Sequence, residues 1–212
     1  MKTPESGTEV FAIDTLGGTA PNPPGFNGLL VDWAWKRVRN TTDDWYSQSR
    51  LTGTSELKLN TTDTESTADT SIKFDYQDGW LDSSGTLSTQ LSWMFKRATG
   101  FFDVVAYEGN STAGRAVNHG LKVIPEFIII KAREATWDWV AYTAPTGAGY
   151  YLKPNDTQAS AASSGVFPSA PTDSVFSLGS GSFVNSTSAG AYIAYLFATL
   201  AGVSKVGSYT GT

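Results

Sequence analysis

The sequence predicts an all-β protein, an antiparallel β-sandwich or jelly roll, in which one unit occurs twice. Short runs of β-branched and aromatic residues recur along the chain, and clusters of Ser, Thr, Asn, Gly and Pro separate them. Helical periodicity is almost absent. The 212 residues include 7 Trp, 9 Tyr and 11 Phe, types that favour strands. Two similar units, in residues 1–100 and 101–212, either stack in tandem or fuse into one larger sandwich.

The duplication consists of stretches that match in the same order in both halves. Phe, Gly, Val and Tyr recur in register in the longest match, and an Asp-Trp pair recurs in another. A longer Gly/Ser/Asn stretch around residues 179–190 accounts for the change in offset as a loop insertion. The matches are residues 93–109 with 195–211, residues 32–39 with 126–133, residues 44–45 with 138–139, and residues 57–60 with 152–155.

Each unit is predicted to hold six strands, with turns that contain Gly, Ser, Thr or Asn between them. Residues 203–209 are predicted to form a third copy of the opening strand. The one helical candidate, residues 157–164, is long enough for a single turn. The predicted strands of the first unit are residues 9–15, 31–37, 45–46, 56–59, 72–76 or 79–81, and 91–95. Those of the second are residues 101–107, 126–131, 139–142, 150–152, 174–178 and 191–197.

Composition excludes several classes of function. A net charge of -5, with Lys and Arg dispersed, argues against a nucleic-acid partner. The chain has 0 Cys, which excludes disulfides, thiolate metal sites and a cysteine nucleophile. Its apolar runs, such as residues 127–130, are far shorter than a membrane-spanning helix, so we expect no membrane insertion. The first residues lack the pattern of a signal peptide.

The sequence contains few residues that could form a catalytic site. His119 is the only histidine, so histidine-based nucleophile activation and multi-histidine metal sites are excluded, and we expect it to form turn or capping hydrogen bonds. Two carboxylate pairs, residues 43–44 and residues 75 and 78, could serve a glycosidase, but the Thr-rich turn around residues 43–44 favours solvated carboxylates there.

One further group of carboxylates comes close to the spacing of calcium ligands. Asp63, Glu65 and Asp69 lie in one polar segment, but the segment lacks the Gly and the closing Glu of a calcium loop. The sequence therefore predicts no catalytic residue, no metal site and no cofactor.

Aromatic residues beside carboxylates give the best binding hypothesis. An exposed ring at a loop-strand junction can stack on the face of a sugar, while a carboxylate accepts hydrogen bonds from its hydroxyls. The alternative is that Trp45 and its repeat equivalent Trp139 face the core, which leaves Trp137 as the more exposed ring. The candidate ligand-binding residues are Trp137, Asp43, Trp45, Tyr46 and Asp138.

Five segments of the chain carry a family resemblance: residues 100–110, 117–121, 125–131, 191–197 and 205–211. They resemble the repeat unit of virion structural proteins of tailed phages, chiefly those of marine and cyanobacterial phages. The resemblance is strong over residues 93–212 and weaker over residues 11–95, where Trp33-Ala34-Trp35 replaces an aliphatic strand. If the two units fuse, we expect a concanavalin-like sandwich.

The resemblance implies a structural module of the virion, a tail-fibre or particle-surface component for host attachment that is made in the host cytoplasm. Its partners would be other virion proteins and a host surface glycan. A carbohydrate-binding, lectin-like module is the alternative, and a glycan-cleaving enzyme ranks third. No heptad repeat is present, and homo-oligomerisation is left open.

Overall fold

The computed structural model describes residues 1–16, 25–66, 71–82 and 89–209. Strands dominate this part of the chain, and its one α-helix, α1 (Ser182–Asn185), has four residues. The predicted all-β fold class is therefore confirmed. No helix in these described ranges is long and apolar enough to cross a membrane.

Sixteen strands are described, eight in each half of the chain. In the first half they are β1 (Phe11–Thr15), β2 (Gly25–Asn27), β3 (Trp33–Val38), β4 (Tyr46–Ser49), β5 (Glu56–Lys58), β6 (Ile72–Lys73), β7 (Gly79–Asp82) and β8 (Gln90–Phe95). In the second half they are β9 (Phe102–Glu108), β10 (Arg115–Asn118), β11 (Phe127–Ala132), β12 (Val140–Thr143), β13 (Tyr150–Tyr151), β14 (Ala161–Ala162), β15 (Val175–Leu178) and β16 (Ala191–Phe197).

Each half builds one larger antiparallel sheet. The first sheet has the order β1-β8-β3-β4-β5, and the second sheet has the order β12-β11-β16-β9. Smaller sheets accompany them: β2-β7-β6 in the first half, and β10-β15 and β13-β14 in the second. Alternating side chains along each long strand give each large sheet two faces that can both be buried.

The first and second sheets pack face to face through a shared aromatic core. Trp33 on β3 is fully buried, and its ring stacks on Tyr195 of β16 at 4.2 Å and on Phe102 of β9 at 5.4 Å between centroids. The opposite face of the first sheet packs on β2, β6 and β7, and that of the second sheet packs on β10, β15 and α1. The halves are thus fused by burial of apolar surface, which is the main stabilising term in folding.

The two halves have the same strand connectivity. The last strand of each half lies between the first strand and the longest internal strand: β8 between β1 and β3, and β16 between β9 and β11. The register agrees as well, because Trp33 pairs with Phe95 in the first half, and their repeat equivalents Phe127 and Phe197 pair in the second.

A carboxylate before each of these internal strands makes the same bond. Asp32 Oδ2 accepts a hydrogen bond from the backbone N–H of Arg97 at 2.7 Å, and Glu126 Oε2 accepts one from the backbone N–H of Thr199 at 2.9 Å. Both pairs are equivalent under the repeat alignment. A common origin of the halves stays a prediction, which a superposition of their backbones tests.

Two local predictions are wrong. Residues 203–209 form no strand: a turn bridges Leu200 to Ser204, and no ladder follows it, because β16 already pairs on both edges with β9 and β11. Residues 157–164 form no helical turn and contain β14 instead, whereas the helical turns of the second half are α1 and a 3₁₀ turn at Thr187–Ala189. The sequence analysis did not predict the short strands β2, β10 and β14.

Candidate functional site

A row of indoles lies across the face of the first sheet. The pairing of β3 with β8 sets Trp35 opposite Trp93, two residues along from the buried Trp33. Trp35 and Trp93 are both half-buried. Trp45, just before β4, packs its ring on Trp93 at 5.2 Å, and the guanidinium of Arg37 lies 5.0 Å from the Trp45 ring. Strand pairing therefore turns three indoles that are distant in sequence into one aromatic surface.

Two of these indoles line a cleft where the two halves meet. The cleft has a volume of about 590 Å³, and both halves contribute to its walls. The first half supplies apolar and amide groups, whereas the second supplies a polar segment after β13. The lining residues are Trp35, Trp45, Leu59, Asn60, Pro154, Asn155, Asp156 and Thr157.

A hydrogen-bonded clamp fixes the first wall of the cleft. Asn60 Oδ1 accepts the backbone N–H of Trp45 at 3.0 Å, and Asn60 Nδ2 donates to Asp44 Oδ1 at 2.9 Å. Lys58 Nζ lies 3.0 Å from Asp44 Oδ2 and 3.1 Å from Asp63 Oδ2. The hydrogen bonds from Asn60 and Lys58 lower the pKa of Asp44, and those to Asp44 and Asp63 raise the pKa of Lys58.

The second half repeats this clamp. Asn155 Oδ1 accepts the backbone N–H of Trp139 at 2.9 Å, and Asn155 Nδ2 donates to Asp138 Oδ1 at 3.0 Å. Lys153 Nζ lies 2.8 Å from Asp138 Oδ2. Burial acts to raise the pKa of Asp138, but the bonds from Lys153 and Asn155 outweigh it and lower the pKa overall. Both amides of the cleft are thus held by a carboxylate and a tryptophan backbone.

The five predicted binding residues separate in the structure. Trp45 lines the cleft, and Asp138 orients the cleft residue Asn155 without lining the cleft itself. Asp43 is exposed in the turn before Trp45. Tyr46 lies beneath the ammonium of Lys36, at 5.2 Å, and burial raises the pKa of its hydroxyl. Trp137 is 38% exposed but packs edge-on against Phe183 of α1, at 5.7 Å.

The remaining titratable candidates have structural partners. His119 is buried; its Nδ1 accepts the backbone N–H of Leu121 at 3.3 Å, so its Nε2–H donates to the carbonyl of Thr172 at 3.2 Å. Burial lowers its pKa. Asp63 pairs with Lys58, and Glu65 with Arg133 at 2.5 and 2.9 Å.

Other carboxylates were candidates for metal binding or glycoside hydrolysis. Asp69 lies outside the described residues, and the described part of the chain contains no group of three His, Cys, Asp or Glu that could hold a metal ion. Asp75 and Asp78 are both exposed beside β6 and β7.

Sequence reasoning missed most of the cleft. The sequence pattern indicates Trp35 and Trp93 only as strand residues, and Asn60 and Asn155 only as matching positions of the repeat. The alternation along β3 places Trp33 and Trp35 on one face. That alternation could have identified a shared aromatic face, but only the overlap of the two sheets decides which ring is covered.

Comparison with known proteins adds the family. No curated protein and no solved structure matches the chain. One family does match, described as a domain of unknown function (DUF7483), and it covers residues 80–212, from β7 to the end of the chain. Since this match spans more than half of the sequence, the protein belongs to the DUF7483 family.

Proposed function

We propose that this protein is a non-catalytic attachment module that binds carbohydrate in the cleft between its halves. One observation carries the proposal: Trp35 and Trp45 share a cleft with the side chains of Asn60, Asn155 and Asp156. Indole faces stack on the apolar face of a sugar ring, and amides and carboxylates bond to its hydroxyls. This combination of flat apolar and short polar groups is suited to a sugar.

The geometry favours binding because the cleft is formed before any ligand enters. Trp45 is fixed by Trp93, by Arg37 and by the clamp at its backbone. Each clamp amide uses one N–H and one acceptor position in the bonds described above, and a side-chain amide carries two N–H groups and two acceptor lone pairs. Asn60 and Asn155 therefore keep hydrogen-bonding capacity for a ligand without having to reorient.

The proposed location is the surface of a phage virion, as a tail-fibre or particle-surface component beside other virion proteins. Its support is the sequence resemblance given above. The fused aromatic core suits such a role, because it holds the cleft between two halves that pack through Trp33, Phe102 and Tyr195. Mass spectrometry of purified particles tests this part: the chain should be found in the particle, and its absence would refute the virion location alone.

A glycan array tests the binding function, with two matched variants. We expect the wild-type chain to bind a subset of glycans, and Trp45→Ala to weaken that binding at least about tenfold, equivalent to about 1.4 kcal/mol. Trp137→Ala removes another solvent-accessible indole, which packs on Phe183 outside the cleft, and this variant should bind as the wild type does.

Three outcomes would contradict the proposal. The absence of binding to any glycan would refute carbohydrate recognition, and an equal loss in both variants would refute the cleft as its site. Release of reducing ends from a bound glycan would refute the non-catalytic role.

A further inference from the structure

A second cavity lies beside the cleft, between the two large sheets. It is a groove of about 570 Å³, a volume in the range of small-ligand sites. Its walls are largely apolar and include Phe95 from the first sheet, Phe127, Ile129 and Phe197 from the second, and Leu152. The groove is therefore an apolar cavity at the end of the shared aromatic core.

Polar groups of the groove belong to a turn and to the chain after β16. Thr143 and Thr146 bond to each other in the turn that follows β12, at 2.8 Å between hydroxyl oxygens. Residues 204–208 form the other polar part, and Lys205 and Ser208 are exposed. A ligand in the groove would thus contact apolar walls inside and meet polar groups where the groove reaches solvent.

The groove and the cleft share one wall, the indole of Trp35. Trp35 Nε1 is buried and finds no acceptor among the described residues. An unsatisfied buried donor is costly, so an acceptor placed beside Trp35 Nε1 would stabilise the protein. A ligand that spans both cavities would offer such an acceptor at the junction, for example a glycosidic oxygen.

We propose that the groove binds an alkyl or acyl chain attached to the sugar in the cleft, so that the ligand class is an amphipathic glycoconjugate. This inference rests on the proposed function and adds the aglycone to it. The apolar walls match the chain, the amide-lined cleft matches the sugar, and Trp35 lies where the two parts of one ligand would join. The side-chain chemistry of the two cavities therefore matches the two ends of one molecule.

Calorimetry with hexyl, octyl and decyl β-maltoside, each below its critical micelle concentration, tests the inference. Burial of one methylene group contributes about 0.8 kcal/mol, so a fully buried chain gains about fourfold in affinity per carbon. We expect decyl maltoside to bind at least about tenfold more tightly than hexyl maltoside, allowing for incomplete burial. A flat series would overturn the inference.

A variant pair locates the chain-length effect. Val206 lines the groove and is half-buried in a segment without a strand ladder, so Val206→Asp should fold normally and abolish the dependence on chain length. Ala201→Asp adds the same charge in the exposed turn nearby, outside the groove lining, and should keep the full dependence. A dependence that survives Val206→Asp would also overturn the inference.

The glycan array separates this inference from the proposed function. Glycan binding with a flat maltoside series leaves carbohydrate recognition standing and refutes the apolar site. Dependence on chain length without any binding to glycans supports the groove as an apolar site but refutes its link to a sugar.

Discussion

The two halves share connectivity and register, yet they bury different chemistry at an equivalent position. In the first half, Lys36 on β3 forms an ion pair with Asp82 on β7, and both side chains are almost fully buried. In the second half, Ile130 takes the place of Lys36 in the register, and it lies in an apolar cluster with Leu178. The strands pair in the same way beside a buried ion pair in one half and beside an apolar cluster in the other. The backbone arrangement therefore does not depend on which of the two is buried there.

A second difference concerns the repeated clamp. Asn60 and Asn155 hold the backbones of Trp45 and Trp139 in the same way. Trp139 is 1% exposed and donates its Nε1–H to the carbonyl of Lys58 in the other half, at 2.8 Å, whereas Trp45 stays half-exposed in the cleft. One local motif thus contributes to the core in one half and to the candidate binding surface in the other.

The largest expected effect comes from breaking the ion pair that only the first half has. Asp82→Leu leaves the buried ammonium of Lys36 without its nearest carboxylate, and we expect it to lower the free energy of unfolding by about 3–5 kcal/mol. The double variant Lys36→Ile/Asp82→Leu makes the first half resemble the second and should recover most of that loss. Urea denaturation, followed by Trp fluorescence, measures both.

The ion-pair experiment has a clear opposite result. A double variant as unstable as Asp82→Leu would show that the first half requires the ion pair. The two halves would then differ in what holds them together as well as in composition. Glu56, 3.6 Å from Lys36 Nζ, still accepts a bond from Gln48 when Lys36 is replaced, so the double variant leaves that carboxylate with a partner.

The fold was more predictable from sequence than the site. Strand positions follow from local alternation and turn residues, and they were recovered for β3, β8, β11 and β16, the long central strands. The site depends on which surface each half covers. Trp45 and Trp139 each follow an Asp residue in equivalent positions of the repeat. Only the stacking of Trp139 on Tyr195 and its hydrogen bond to Lys58 distinguish the ring in the core from the ring in the cleft.

Short elements explain the remaining differences between sequence and structure. Trp137 is more exposed than Trp45 and Trp139, as expected, but its packing on Phe183 was not predicted, because α1 has only four residues and leaves no periodic signal. Residues 203–209 repeat the pattern of β9, but a strand also needs an edge to pair with, and no local pattern encodes that edge.

An intermediate effect is expected from breaking each clamp in turn. Asn155→Ala removes the partner of the part-buried Trp139 N–H and should destabilise the protein by about 1–2 kcal/mol. Asn60→Ala removes the more exposed hydrogen bond to the Trp45 N–H and should cost about 0.5–1 kcal/mol, while it weakens glycan binding. Thermal unfolding and the glycan array measure the two effects, and equal destabilisation by both variants would contradict the division of roles between core and cleft.

The smallest expected effect is a pH dependence that belongs to the second half alone. The only histidine of the chain is His119, and burial lowers its folded-state pKa below the ordinary value of 6.5. The unfolded chain therefore binds more protons than the folded chain just below pH 6.5. The stability contributed by neutral His119 is fully present above pH 6.5 and is lost as pH falls toward the folded-state pKa.

Unfolding curves measured between about pH 7 and pH 5 show whether the two halves unfold together as the pH changes. His119→Gln is the control, because glutamine does not titrate in this range. Because the core of Trp33, Phe102 and Tyr195 joins the halves, we expect a single transition whose midpoint falls with pH in the wild type and falls less in His119→Gln. Two unfolding transitions, one with a midpoint that does not change with pH, would mean that the shared core does not couple the unfolding of the two halves. The first half would then be a separate folding unit, although its face is buried against the second.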